Sequence, residues 1–282
     1  MGRVAKDGDA DPPPVGVRSP VRRADKTTAE PRIEVESLNE TLQTIFRVLV
    51  GMMVGRPTNA IHRAIAVRCE GAGGATIITT NYDVCIESAL SDANYTYETG
   101  VWKQSPDSHT ADRTARILKL HGSLSWQSCV SCDRYVTVGS AKIGEEFRSG
   151  RFAVESICRS CQAPSQLLIV PPISRKHLMH PILLEIRRAA EQALSDAHSI
   201  VVVGYSFTES DEHILRMFSR AIEGEPDKDI LVLDTKEAPS RRLSAFLKTH
   251  ARGFDDGHVI DILGDASGSL PVVIEAGAEA LE

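Results

Sequence analysis

Short β-branched runs alternate with longer amphipathic stretches between about residues 57 and 263, and this alternation constrains the chain more than any other feature. Thr76-Ile77-Ile78-Thr79, Ile117 to Leu120, Leu167 to Val170, Ser199 to Val203, Ile230 to Leu233 and His258 to Leu263 read as strands. Between them, helices are predicted over Asn59 to Cys69, from after Asn81 to about Leu90, and over Pro181 to Ala197, Glu209 to Ile222 and Ser240 to His250. Strands and helices in this order build a doubly wound parallel sheet, so the predicted class is α/β, Rossmann-like, with a small inserted cysteine module. Ser199 to Val203 is apolar almost throughout, the pattern of a mid-sheet strand covered on both faces.

Upstream, Ser37-Leu38-Asn39-Glu40 fits a capping box before an apolar run from Leu42 to Val54, which predicts one more helix. Residues 1–32 carry Pro12-Pro13-Pro14 and scattered charges, a composition that cannot bury enough surface to offset ordering entropy. The expected organisation is a disordered segment over 1–32, a folded domain over 33–263 with its cysteine module at 127–163, and a tail over 264–282.

The formal net charge of −6 shows no basic excess, which argues against nucleic acid as partner. No apolar run reaches the roughly 18 residues of a membrane span, and the N-terminus lacks the apolar segment of a secretory signal. A cytoplasmic location is therefore expected. There, six cysteines point to metal or catalysis before disulfides.

Four of the six form two C-x-x-C pairs, Cys129 with Cys132 and Cys158 with Cys161, separated by 25 residues. Each pair presents two thiolates from one tight turn, and two turns complete a tetrahedron around Zn2+. Four thiolates leave no position for water, so the expected ion is structural. Redox dithiols are the alternative, and they need a thioredoxin-like context that the sequence lacks. Cys69 and Cys85 read as small buried hydrophobes.

Three polar clusters follow predicted strands, at the sheet edge where open α/β folds bind ligands. They are Thr79-Thr80-Asn81-Tyr82-Asp83, His121-Gly122-Ser123, and Gly204-Tyr205-Ser206 continuing to Asp211 and His213. A polar residue after a strand is also a common helix cap, and Thr80 and Asp83 fit that plainer role as well. His213 equally suits the outer face of its helix.

These motifs, in this order, resemble the sirtuin superfamily. The resemblance runs from about residue 57 to 263, through Pro57 to Asp83, Lys119-Leu120-His121-Gly122, the paired C-x-x-C module, Gly204-Tyr205-Ser206-Phe207 and Leu231-Val232-Leu233-Asp234. Thr79-Thr80-Asn81-Tyr82-Asp83 followed by Glu87, and Gly204-Tyr205-Ser206-Phe207 leading to Asp211 and His213, are similar to its divergent bacterial branch, several members of which hydrolyse NAD in phage defence. The resemblance implies NAD+ as substrate. Asn81 would hold the nicotinamide ribose and position a water, His121 would act as base, and Asp83 would orient its neighbours. Thr80, Asn81, Gly204 and Ser206 would contact the nucleotide, with Asp234 near the adenosine ribose. The expected partners besides NAD+ are a second copy of the chain, as a homo-oligomer, or a separate sensor protein.

One departure stands out. Sirtuin-like proteins open with a strand and a Gly-Ala-Gly-x-Ser loop that cradles the pyrophosphate on backbone N–H groups. No such pattern precedes residue 57, and Gly71-Ala72-Gly73 precedes the wrong strand and reads as a turn. Either the reading frame starts late or the loop has been lost. Three functions are thus weighed: NAD glycohydrolase, NAD-dependent lysine deacylase, and a zinc-stabilised scaffold without catalysis. Deacylases clamp a peptide as an added strand. Pro171 and Pro172, which lack N–H donors, disfavour that mode here.

Overall fold

A computed structural model describes residues 57–71, 75–100, 114–129, 131–132, 134–137, 156–170, 180–208, 211–223, 225 and 228–264. All of them lie in the compact unit Phe46–Glu282. The expected disordered segment, the capping box, the helix over Leu42 to Val54 and nearly all of the tail fall outside the described residues.

In chain order the elements are α1 (Ala60–Gly71), β1 (Thr76–Thr79), α2 (Cys85–Asp92), β2 (Thr96–Thr99), β3 (Thr114–Lys119), β4 (Gly122–Cys129), β5 (Tyr135–Thr137), β6 (Ser156–Ile157) and β7 (Pro164–Ile169). There follow α3 (Pro181–Asp196), β8 (Ser199–Val203), α4 (Glu212–Glu223), β9 (Asp229–Asp234), α5 (Ala238–His250) and β10 (Val259–Leu263). The strands form two parallel sheets, ordered β1-β3-β2 and β10-β9-β8, and one antiparallel sheet ordered β5-β4-β7-β6. The mixed α/β architecture with parallel strands is the one the alternation predicts. Among the described residues no helix is long and apolar enough to cross a membrane.

Strand β3 shows why the fold is layered. Its side chains alternate, so Ile117 packs with Ala66, Ile86 and Leu90 of α1 and α2, while Leu118 joins a second cluster with Ile186, Met217, Ile230 and Leu243. Both residues are fully buried. Each contributes about 1.5–3 kcal/mol by leaving water. Helices α3, α4 and α5 cover the β8–β10 sheet through that larger cluster.

Two features depart from the expected pattern. Strand β8 is not mid-sheet: among the described residues it is the edge of its sheet, and only alternate residues are buried. Ile200 and Val202 enter the core, whereas Val201 remains 45% exposed. The second is the antiparallel sheet, which begins at Gly122, directly after the His121 turn. Gly122 has φ +84°, and a Cβ there would lie 2.1 Å from the Leu168 carbonyl oxygen. Only glycine lets β7 approach β4 so closely at the point where the chain passes from one sheet to the other.

Candidate functional site

The cysteine module is built on hairpin geometry. Cys129 ends β4 and Cys132 lies before β5, while Cys158 follows β6 and Cys161 lies before β7. Backbone bonds from Cys129 N–H to the Arg134 carbonyl and from Cys158 N–H to the Ala163 carbonyl, both 2.8 Å, close the two turns. An Arg134 to Ser160 side-chain bond of 2.7 Å ties one turn to the other. Cys129 Sγ lies 3.3 Å from Cys161 Sγ, and Cys132 Sγ 3.7 Å from Cys158 Sγ. Zn–S bonds of about 2.3 Å place the sulfurs of a regular tetrahedron ~3.8 Å apart, so the donor set fits one zinc ion. The backbone N–H groups of Ser160 and Cys161 hold the Cys158 thiol low, while Cys161 is pushed up with the Cys129 side chain opposing its ionisation, as expected of thiols that share one small space.

A cavity of about 740 Å³ lies between β1 and β8, the facing edges of the two parallel sheets. Thr80 and Asn81 line it from the end of β1, and Gly204 and Tyr205 from the end of β8. Thr76 at the start of β1 and Ser199 at the start of β8 line its other end, so the two strands run in the same direction along it. The turn at Gly204 has φ +60° with no atom within 4 Å of an added Cβ, leaving open space over the strand end. The Gly204 N–H bonds the Leu233 carbonyl at 2.9 Å, which fixes the turn to β9.

His121 is buried beside this cavity, and Val170 N–H bonds its carbonyl at 2.8 Å. Its ring lies 6.4 Å from Tyr82 and 5.7 Å from His213, centre to centre. Its Nε2 is 3.9 Å from Asp211 Oδ1, within ion-pair range but too long for a hydrogen bond. Ligand atoms of His121, Asp211 and His213 all lie within 4.8 Å of one another. The Asp211 charge also acts on the buried Tyr205 hydroxyl. Burial, and then the Asp211 charge, push the Tyr82 hydroxyl up to about 12 and raise that of Tyr205 as well. Both phenols therefore stay neutral at physiological pH. Tyr82 donates to the Val170 carbonyl.

The other expected residues are placed as follows. Asp83 Oδ1 accepts the Cys85 N–H at 2.9 Å, the plainer helix-entry role of a polar residue after a strand. The Ser206 side chain is exposed, and its carbonyl accepts from Arg242 at 2.8 Å. Asp234 Oδ1 accepts the Lys236 N–H at 3.0 Å. Neither Ser206 nor Asp234 is among the cavity's lining residues. Thr80, Asn81 and Gly204 are thus brought to one cavity, His121 adjoins it next to the lining residue Leu120, and Ser206 and Asp234 stand off.

Two functional supports carry no role in the sequence reading. Lys119 and Glu87 form a buried ion pair at 2.8 Å, and Lys119 also donates to the Asp83 carbonyl, anchoring the segment that bears Asn81. Burial raises the Glu87 carboxyl, against the opposing pull of Lys119. A lysine just before a strand-end His-Gly was the available signal, since a buried ammonium requires a counter-charge.

The sequence pattern of the SIR2-like domain family matches residues 75–252. No curated protein sequence matches the chain. Among solved structures, one reported for the mechanism and regulation of Sir2 enzymes is similar at TM-score 0.53 and 17% identity, covering 88% of this chain and 79% of its own. A Sir2 homologue in complex with NAD is similar at 0.53 and 18%, covering 88% and 76%. Sir2 bound to an acetylated peptide is similar at 0.52 and 16%, covering 86% and 82%. With more than half of its length matched by that family pattern, the chain belongs to the SIR2-like domain family.

Proposed function

We propose that the protein binds NAD+ in the cavity between β1 and β8 and cleaves its nicotinamide–ribose bond, releasing nicotinamide and ADP-ribose. The observation that carries this reading is the meeting of Thr80, Asn81 and Gly204 at one cavity with the His121–Asp211–His213 group beside it. Family membership and the likeness to an NAD-complexed Sir2 homologue support the choice of ligand.

The chemistry suits these residue types. As the C1′–N bond breaks, its electron pair leaves with nicotinamide and positive charge develops on the ribose. Side-chain carbonyl and carboxylate oxygens stabilise that charge. A water held by Asn81 adds to C1′, and His121 takes its proton near neutral pH. Asp83 serves by holding the start of α2, and so the position of Asn81. On this reading Ser206 and Asp234, which follow β8 and end β9, meet the nucleotide from the strand ends beside the cavity. The four cysteines would hold a structural zinc that fixes β4 and β7, and with them the His121–Gly122 turn. A cytoplasmic role in antiviral defence accords with the bacterial branch that the motifs resemble. The folded unit on this reading is residues 33–263, with the zinc module at 127–163.

Deacylation of a peptide is the second reading, favoured by the likeness to Sir2 bound to an acetylated peptide. Incubating the full chain with NAD+, with and without an acetylated peptide, separates the two. Nicotinamide release without peptide is expected, and release that requires the peptide would reverse the order. His121→Ala is expected to abolish release while leaving the far-ultraviolet circular dichroism unchanged. Full turnover by that variant would remove His121 from the mechanism.

A further inference from the structure

The Gly204 loop leads into Asp211 and His213, which sit against His121 although 90 residues or more separate them from it in sequence. Asp211 is held at the start of α4 by Thr208, whose Oγ1 donates to its Oδ2 at 3.3 Å. Its other oxygen, Oδ1, is the one turned to His121 Nε2 at 3.9 Å, with the aspartate side chain 15% and the histidine 8% exposed. A carboxylate held by a neutral hydroxyl and aimed at an imidazole in a poorly hydrated setting has one electrostatic effect. It favours the protonated ring.

We infer that Asp211 is a positioning residue that sets the proton affinity of His121, with His213 as an opposing charge on the same ring. Among the described residues, three titratable side chains face His121. Tyr82 faces it from the β1–α2 connection and stays neutral, and Asp211 and His213 face it from α4. Lys119, two residues earlier on β3, is matched by Glu87. Among the described residues, the influence is therefore one fixed negative charge and one titrating positive one. In catalysis Asp211 would stabilise the imidazolium formed when His121 takes a proton, at the cost of a higher pH for the onset of base action.

The role presupposes His121 as the base proposed above, but its test does not need turnover. The His121 ring resonance, identified by its loss in His121→Gln, is followed by proton NMR across pH in the full-length zinc-loaded protein. In Asp211→Asn the His121 titration midpoint is expected to fall by about one pH unit, and in Asp211→Glu to stay near that of the parent. In His213→Gln it is expected to rise, because a like charge has been removed. Asp211→Ser removes the same charge and serves if the amide variant does not fold. An unchanged midpoint in the folded charge-removing variant would overturn the inference, whereas absence of NAD cleavage by the parent would count against the function alone. If the parent is active, the ascending limb of its kcat/KM profile is expected to move to lower pH in Asp211→Asn, a change that loss of packing would not produce.

Discussion

At the scale of single residues, the site depends on groups whose protonation and pairing are set by burial. The Lys119–Glu87 pair shows how. Both side chains are almost fully enclosed, and the lysine also bonds the Asp83 carbonyl. Removing one partner strands the other charge in the core, a change that costs about 3–5 kcal/mol. Glu87→Ala is accordingly expected to lose about that much stability in urea unfolding, while the double change Glu87→Leu with Lys119→Met loses much less. Equal losses in the two proteins would show that the charges do not depend on one another. The sign of the pH effect follows from the raised Glu87 carboxyl. Its protonated form is favoured in the fold, so its contribution to stability is present below the usual carboxylate range and lost as pH rises through the raised value.

At the scale of elements, the strands most rich in β-branched residues were the most legible. β1 and β8 begin and end where their apolar runs do, and β9 extends its run by one residue at each end. Strand β2 escaped notice because Thr-Tyr-Glu-Thr is polar on both faces and only half-buried. Strand β4 escaped for a different reason. Gly-Ser-Leu-Ser-Trp-Gln-Ser-Cys looks like a loop, yet every residue of it is buried, and Ser123 and Ser125 satisfy one another at 2.9 Å. Serines paired inside a protein leave no trace in hydropathy. The cysteine spacing, by contrast, was directly readable, since two tight turns need only local geometry to present four thiolates. One zinc per chain is expected by elemental analysis, and none in Cys132→Ser with Cys158→Ser. Trp126 is fully buried and packs on Tyr135 at 6.0 Å beside the module, so chelation should shift its emission to the red. Full zinc occupancy in the double variant would refute the tetrathiolate assignment.

At the scale of the whole molecule, what the sequence left illegible is long-range. The strand-end clusters were each visible, but which of them share a cavity depends on how β1 and β8 face one another. The structure gathers Thr80, Asn81 and Gly204 and leaves Ser206 and Asp234 outside the lining. The edge position of β8 was also hidden, because an apolar run reads the same whether one face or both are covered. The central proposal is that the cavity between these two edges takes NAD+, and calorimetric titration of the full chain with NAD+ tests it most directly. Saturable binding with one site per chain, retained in His121→Ala, is the expected result. Absence of binding heat at all temperatures tried, in a protein shown to be folded and zinc-loaded, would contradict the account and favour a non-catalytic scaffold.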